Sequence, residues 1–171
     1  MPRRIPGWVA LLVWPILVGA VHVALPVELS QRGRRHGWRG GGARPSATNL
    51  VGVVPLMAGA ALVSWASAEH FAAASDKGWA VKRGLEPEYL LTDGPYRHSR
   101  NPMYVGGIAI WGGWATCFGS VPVAGGLVIL TSIYRSGIAW EEQLLERRWG
   151  DEWQAYAKRT SRWLSLGSAP A

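Results

Sequence analysis

Three long stretches without charged residues divide the chain. Residues 5–27, 46–68 and 101–134 contain no Asp, Glu, Lys or Arg, and most of their positions are apolar. A helix needs roughly 20 mainly apolar residues to cross a bilayer. The first two stretches each fit one span, and the third fits two shorter spans with a break at Gly119-Ser120-Val121-Pro122. The pattern therefore predicts an all-α integral membrane protein with about four transmembrane helices.

The segment that follows the fourth predicted span has a different pattern. Over residues 138–156, apolar residues recur mostly at i+3 or i+4, and charged residues fill the positions between them. This periodicity is typical of an amphipathic helix. Gly150 interrupts the pattern, and Asp151 with Gln154 forms a weak capping-box signal for a new start. We expect a helix to about Trp149, a turn, and a short second helix at the cytoplasmic membrane surface.

The basic residues set the expected orientation, because Lys and Arg favour the cytoplasmic side. With the N-terminus inside, 13 of the 18 Lys and Arg residues are inside, in the first residues, in loop 75–101 and in the tail. The Arg- and Gly-rich loop 31–46 is then outside, against this rule, and we expect it to be solvated. We expect both termini and the functional site to be cytoplasmic, in a bacterial inner membrane.

The amino-acid composition limits which metal sites, disulfides and binding partners this protein can have. The single cysteine, Cys117, excludes an intrachain disulfide, and the chain lacks the ligands of a zinc cluster, so we expect no metal site. Attraction to anionic lipid headgroups accounts for the net charge of +7, so we expect membrane lipids and no nucleic acid as partners. We expect one structural domain, with a first span and loop over residues 1–48 and a core over residues 49–171.

A cluster of candidate site residues lies at the start of the third predicted span. Asn101 is a favoured N-cap and Pro102 a favoured first helical residue. The helix would therefore begin with free backbone N–H groups beside Arg97 and Arg100. A helix N-terminus next to arginines is an anion-binding arrangement.

Small residues and a pair of carboxylates complete the candidate set. Gly106 and Gly107 remove side chains one turn into the third span, which lets a ligand or a second helix approach its backbone. Glu141 and Glu142 follow the fourth predicted span directly. Paired carboxylates at a membrane boundary could attract a cation, and the alternative is a solvated helix face.

Three motifs stand in a fixed order along the chain: Gly94-Pro95-Tyr96-Arg97-x-x-Arg100-Asn101-Pro102-Met103-Tyr104-x-Gly106, Glu141-Glu142-x-x-Leu145 and Trp149-Gly150-x-x-Trp153-x-x-Tyr156. In this order they resemble the isoprenylcysteine carboxyl methyltransferase and phospholipid methyltransferase superfamily, over roughly residues 50–165. The Asn-Pro-Met-Tyr form is closer to phosphatidylethanolamine N-methyltransferases than to the prenylcysteine enzymes, which usually have Arg-His-Pro.

The resemblance implies an integral membrane methyltransferase that depends on S-adenosylmethionine. In such enzymes the cofactor lies between the last spans and the C-terminal tail, and the apolar substrate enters from the bilayer. The implied substrate is membrane-soluble and lipid-like, either a phospholipid amine or an isoprenylcysteine-type carboxylate. Two alternatives stay open: a nicotinamide-dependent reductase-like relative and a non-catalytic small membrane protein.

The resemblance also implies roles for the candidate residues. We assign the carboxylate of S-adenosylmethionine to the start of the third span with Arg97 or Arg100, and its ammonium or ribose hydroxyls to Glu141 or Glu142. Tyr96 and Tyr104 are expected near the adenine or the sulfonium. The predicted catalytic residues are Arg100, Tyr104 and Glu142. The predicted cofactor-binding residues are Tyr96, Arg97, Arg100, Asn101, Pro102, Tyr104, Gly106, Gly107, Glu141 and Glu142.

A general base is needed only for some acceptors. An amine lipid must lose a proton, and Glu142 or His98 could take it. Glu69 and His70, at the end of the second predicted span, could also face the pocket. A carboxylate acceptor needs no base, and an arginine would orient it instead.

Overall fold

The computed structural model describes residues 7–39, 44–77 and 89–164, and these residues are almost entirely helical. Two short strands, β1 (Trp38–Arg39) and β2 (Arg44–Pro45), form an antiparallel pair. The helical elements are α1 (Gly7–Gly19), a π-helical turn (Ala20–Ala24), α2 (Leu25–Gln31), α3 (Ala47–Leu50), α4 (Val53–Lys77), a 3-10 turn (Gly94–Arg97), α5 (Pro102–Phe118) and α6 (Val121–Arg159).

Three helical stretches are long and apolar enough to cross a membrane. They are Leu12–Gln31, Ala47–Ala73 and Val121–Arg159. The first of these joins α1, the π-helical turn and α2, and we call it span one. The remaining predicted span is α5, whose 17 residues are at the lower limit of spanning lengths. The prediction of an all-α membrane protein is confirmed.

The predicted break between the third and fourth apolar helices is also confirmed. Gly119 ends α5 in the left-handed region, at a φ of 54°, which glycine adopts without a steric penalty. Ser120 then caps α6, because its hydroxyl accepts a hydrogen bond from the Val123 N–H. Pro122 lies in the first turn of α6, where no intrahelical hydrogen bond is lost.

Helices α4 and α5 touch through matched glycines. A Cβ atom added at Gly59 would lie 2.5 Å from the Gly106 carbonyl oxygen, and one added at Gly113 would lie 2.7 Å from the Gly52 carbonyl oxygen. Small residues at these positions let the two backbones approach closely, as is common between membrane helices. Gly106, which the sequence suggested for cofactor binding, therefore faces α4.

The Arg- and Gly-rich loop is folded where the structure describes it. Its backbone contacts the turn between α5 and α6, since the His36 N–H donates to the Gly119 carbonyl at 2.9 Å. The buried Asn49 amide donates to the His36 carbonyl at 3.1 Å and to the Thr116 carbonyl at 3.0 Å. The described part of the loop thus caps one end of the helices, while most of its residues are exposed to solvent.

The C-terminal tail caps the opposite end. Gly150, at φ 47° and ψ −117°, breaks α6 into two helices, as its sequence pattern predicted. The second half folds back, and the Tyr156 hydroxyl donates to the Tyr96 carbonyl at 2.7 Å. The backbone N–H of Arg100 donates to the backbone carbonyl of Ser161 at 2.9 Å. The 94–101 segment and the tail therefore form one continuous structure.

The glycine contacts predict opposite effects for two adjacent substitutions. Gly113→Ala should destabilise the protein by about 1–3 kcal/mol, because its new methyl would strike the α4 backbone. Among the described residues, no heavy atom lies within 4 Å of a Cβ at Gly112. Gly112→Ala should therefore leave stability unchanged or raise it by up to about 1 kcal/mol through helix propensity. Thermal unfolding in detergent measures both; equal melting temperatures would contradict the packing.

Candidate functional site

A largely buried ion pair lies at the centre of the candidate site. Arg100 Nη2 is 3.2 Å from Glu142 Oε1, and each side chain is only 13% exposed. The other terminal nitrogen of Arg100 donates to the Ala157 carbonyl at 3.1 Å. The guanidinium also lies over the Trp153 ring, 5.5 Å from its centre. The segment that leads into α5 and Glu142 of α6 thus touch directly.

Glu142 binds a second arginine from the end of the chain. Arg162 Nε donates to the Glu142 carboxylate at 3.1 Å, and its terminal nitrogen donates to the same group. These hydrogen bonds raise the pKa of the Arg162 guanidinium. Two cations therefore compensate the charge of Glu142, so that its main effect is to hold Arg100 and Arg162 in place.

A cavity of about 480 Å³ lies between the two halves of α6. Its size falls in the usual range for small-molecule sites. The reversal at Gly150 forms the cavity, because each half of α6 supplies one wall. The lining residues are Arg100, Ala139, Glu142, Gln143, Glu146, Trp153, Gln154, Ala157, Lys158 and Arg162.

The cavity offers groups that suit a zwitterionic ligand. Arg100 Nε is buried, and it has no hydrogen-bond partner among the described residues. A buried N–H without a partner is costly, so an acceptor group that reached this donor would be stabilised. Lys158 and Arg162 add positive charge at the same cavity. Glu146, which accepts from the Gln154 amide at 3.2 Å, adds a carboxylate.

The second carboxylate of the pair points elsewhere. Neighbouring helical residues diverge by about 100°, so Glu141 and Glu142 face different directions. The Tyr104 hydroxyl donates to Glu141 Oε2 at 3.1 Å. The Tyr104 ring meets the Tyr134 ring edge-on, with 4.8 Å between their centres. Neither Tyr104 nor Glu141 lines the cavity that Arg100 and Glu142 share.

Tyr96 lies close to this second group. Burial, and then the nearby Glu141 carboxylate, raise the pKa of Tyr96, so its hydroxyl stays protonated at neutral pH. The turn that carries Tyr96 packs on Glu69, since a Cβ at Gly94 would lie 2.6 Å from Glu69 Oε1. Glu69 also accepts a hydrogen bond from Trp65 at 3.2 Å. Glu69, which we expected to face the pocket, therefore lies near Tyr96 and does not line the cavity.

The C-terminal tail packs against the start of α5. Asn101 occupies the N-cap position without a side-chain cap, and its amide donates instead to the Arg162 carbonyl at 3.0 Å. Pro102 is fully buried. Neither Asn101 nor Pro102 lines the 480 Å³ cavity, and the role expected for the free N–H groups in the first turn of α5 stays a prediction.

Four further predicted residues also lie outside this cavity. Arg97 pairs with Asp93 at 2.8 Å, is largely exposed, and lines a separate cavity of about 240 Å³. Gly107 faces His22, whose Nε2 would be 2.7 Å from an added Cβ atom. His98 is exposed. His70 also lies outside it, with its ring edge-on to that of Tyr89 at 5.2 Å.

Sequence reasoning missed several residues that line the cavity. Glu146 follows Glu142 by four positions, and this spacing places both on one helix face. Arg162 and Lys158 come from the tail, where only the turn at Gly150 indicated that the chain would return. Trp153 was part of the quoted aromatic motif, but its contact with a guanidinium was not foreseen.

A comparison with protein families identifies the chain. No curated protein and no solved structure gives a significant match. The model of the phospholipid methyltransferase family matches residues 50–152, which is more than half of the chain. The matched region contains Arg100, Tyr104 and both carboxylates of the acidic pair. The chain therefore belongs to the phospholipid methyltransferase family, whose members are membrane-bound methyltransferases.

Proposed function

We propose that this protein transfers a methyl group from S-adenosylmethionine to a lipid-like acceptor in the membrane. One observation carries the proposal: a cavity of small-molecule size between the halves of α6 is lined by Arg100, whose Nε donor has no partner among the described residues. Family membership supplies the reaction class. The cavity supplies a place where a small zwitterion fits.

The lining residues match the parts of the cofactor. S-adenosylmethionine carries a carboxylate, an ammonium, ribose hydroxyls, an adenine and a sulfonium. Arg100 and Arg162 suit the carboxylate, because guanidinium groups form strong charge-assisted hydrogen bonds. Glu146 suits the ammonium or the ribose hydroxyls. The Trp153 indole suits the adenine or the cationic sulfonium. Glu142 positions the two arginines, instead of binding the ammonium itself.

The face of α6 that carries Glu141 suits the acceptor. When bound, the cofactor supplies the methyl group and the leaving group, so the protein needs mainly to align the reactants and exclude water. An amine acceptor must also lose a proton. The Glu141 carboxylate, which Tyr104 holds through a hydrogen bond, is the base we propose. For a carboxylate acceptor no base is needed, and the Tyr104 and Tyr96 hydroxyls would orient it.

We propose that this end of the protein faces the cytoplasm. The motif over residues 94–101 and the tail lie together, and loop 31–46 contacts the turn after α5 at the other end. The tail and the motif carry many of the basic residues, which favours the cytoplasmic side for that end.

Proteoliposomes test the proposed reaction. The full chain is reconstituted with phosphatidylethanolamine, or with phosphatidylglycerol plus N-acetyl-S-farnesylcysteine, and given methyl-labelled S-adenosylmethionine. Label in the phospholipid identifies an amine acceptor, and a base-labile label on farnesylcysteine identifies a carboxylate acceptor. Absence of label in both, together with absence of S-adenosylhomocysteine binding, would overturn the proposal. Binding of NADPH instead would favour the reductase-like alternative.

Arg100→Lys should weaken cofactor binding. Lysine keeps the charge but loses the planar fork and the Nε donor, so the affinity for S-adenosylhomocysteine should fall roughly 10- to 100-fold. Arg147→Lys is the matched control, because Arg147 is exposed on α6 and does not line the cavity. Calorimetric titration measures both variants. Equal affinities in the two would contradict the assignment.

Glu141→Gln and Tyr104→Phe should separate catalysis from cofactor binding. Both changes remove groups on the proposed acceptor side, so transfer to an amine acceptor should fall by roughly 10²-fold or more for Glu141→Gln, with a smaller loss for Tyr104→Phe. The affinity for S-adenosylhomocysteine should stay within about twofold, since neither residue lines the cavity. Single-turnover rates and titrations measure the two effects. A parallel loss of affinity would show that both carboxylates serve the cofactor.

A further inference from the structure

Span one carries a buried histidine in an irregular turn. His22 lies in the π-helical turn Ala20–Ala24, with about 9% of its surface exposed. Single π-helical turns inside longer helices occur frequently at functional sites. Ionisable residues within membrane spans are also functional candidates by default. This residue lies outside the region that the family model matches.

Hydrogen bonds fix the orientation of the His22 ring. Its Nδ1 atom is 3.1 Å from the Val18 carbonyl oxygen, which can only accept, so Nδ1 carries the hydrogen. In the neutral ring Nε2 is then an acceptor. The Tyr134 hydroxyl, at 2.9 Å, donates to it. Span one is thus tied to α6 by a contact with one defined donor and one defined acceptor.

Helix α5 is shaped around this contact. A Cβ atom at Gly107 would lie 2.7 Å from His22 Nε2 and 3.1 Å from the Tyr134 hydroxyl oxygen. The glycine therefore leaves the space in which the two groups meet. The Trp114 indole N–H donates to the His22 backbone carbonyl at 2.8 Å, which anchors the π-helical turn to α5.

The contact continues to the proposed acceptor side. The Tyr134 ring meets the Tyr104 ring edge-on, at an interplanar angle of 73°. Tyr104 in turn donates to Glu141. Four side chains from span one, α5 and α6 therefore form one contiguous array that ends at the carboxylate we assign to the acceptor.

We infer that His22 is a positioning residue for methyl transfer. By accepting from the Tyr134 hydroxyl, it fixes the Tyr134 ring, against which the Tyr104 ring packs with its hydroxyl on Glu141. Span one, which lies outside the family match over residues 50–152, thereby helps to shape the proposed acceptor side. The inference rests on the proposed function for the role of Glu141.

His22→Phe and His22→Gln test this role in the full chain. In phosphatidylethanolamine proteoliposomes, His22→Phe should lower the single-turnover transfer rate about tenfold, the effect of one lost hydrogen bond that orients a reacting group. S-adenosylhomocysteine affinity should stay within about twofold, because His22 does not line the cavity. In His22→Gln the amide oxygen reaches about as far as Nε2 and can accept from Tyr134. The single-turnover rate of His22→Gln should therefore be close to that of the wild type.

A mutant cycle shows whether His22 acts through Tyr134. Tyr134→Phe removes the donor of the same hydrogen bond, so it should lower the single-turnover rate by the same factor as His22→Phe. The double variant His22→Phe/Tyr134→Phe should lower the rate no further than either single change, because both changes remove the same hydrogen bond. Trp14→Phe is the control: it removes the 3.2 Å hydrogen bond from span one to Ser67 and should leave the rate unchanged.

Two results would overturn the inference. One is a wild-type rate in His22→Phe. The other is a parallel loss of rate, S-adenosylhomocysteine affinity and melting temperature that His22→Gln does not restore, which would show a purely structural role. Wild-type protein that labels neither phosphatidylethanolamine nor farnesylcysteine and does not bind S-adenosylhomocysteine refutes the proposed function, and the inference with it, before any variant is made.

Discussion

The contacts of the largely buried Glu142 carboxylate with Arg100 and Arg162 hold together the end of this protein that we propose to be cytoplasmic. Two charges taken out of water need excellent partners, and removal of one partner leaves an uncompensated buried charge. Arg100 meets this demand with a carboxylate from one half of α6, a carbonyl from the other half, and an indole face. The same interaction that folds the tail back therefore also forms the cavity wall, which ties the stability of this end to its ability to bind a ligand.

The tail packs against the start of α5 in this arrangement. The carbonyls of Ser161 and Arg162 accept from the Arg100 backbone N–H and the Asn101 side-chain amide, so the tail satisfies two donors of the motif. In the proposed function, side chains in the cavity recognise the anion. The motif that the sequence marks as a candidate anion site is also, in the structure, where the C-terminal tail packs.

Local patterns were predictable from the sequence, and long-range contacts were not. The apolar helices, the break at Gly119 and the turn at Gly150 each depend on a few neighbouring residues, and all were anticipated. The partners of Gly106 and Gly107 depend on which helix lies opposite, and sequence spacing alone does not say. Arg162 was missed for the same reason, since its position at the cavity follows only from the full reversal of the tail.

In the proposed function, the acidic pair lets one helical turn serve two ligands. Because Glu141 and Glu142 are adjacent on α6, their side chains diverge, one toward Tyr104 and the other toward Arg100. Any shift of this turn must move both groups together. The tail restrains it through Arg162, and span one restrains the neighbouring Tyr104 through Tyr134 and His22. In the proposed function, alignment of the methyl donor with the acceptor then depends on restraint from both sides of this turn. The C-terminal tail and span one, which are far apart in sequence, would thus both affect the rate of methyl transfer.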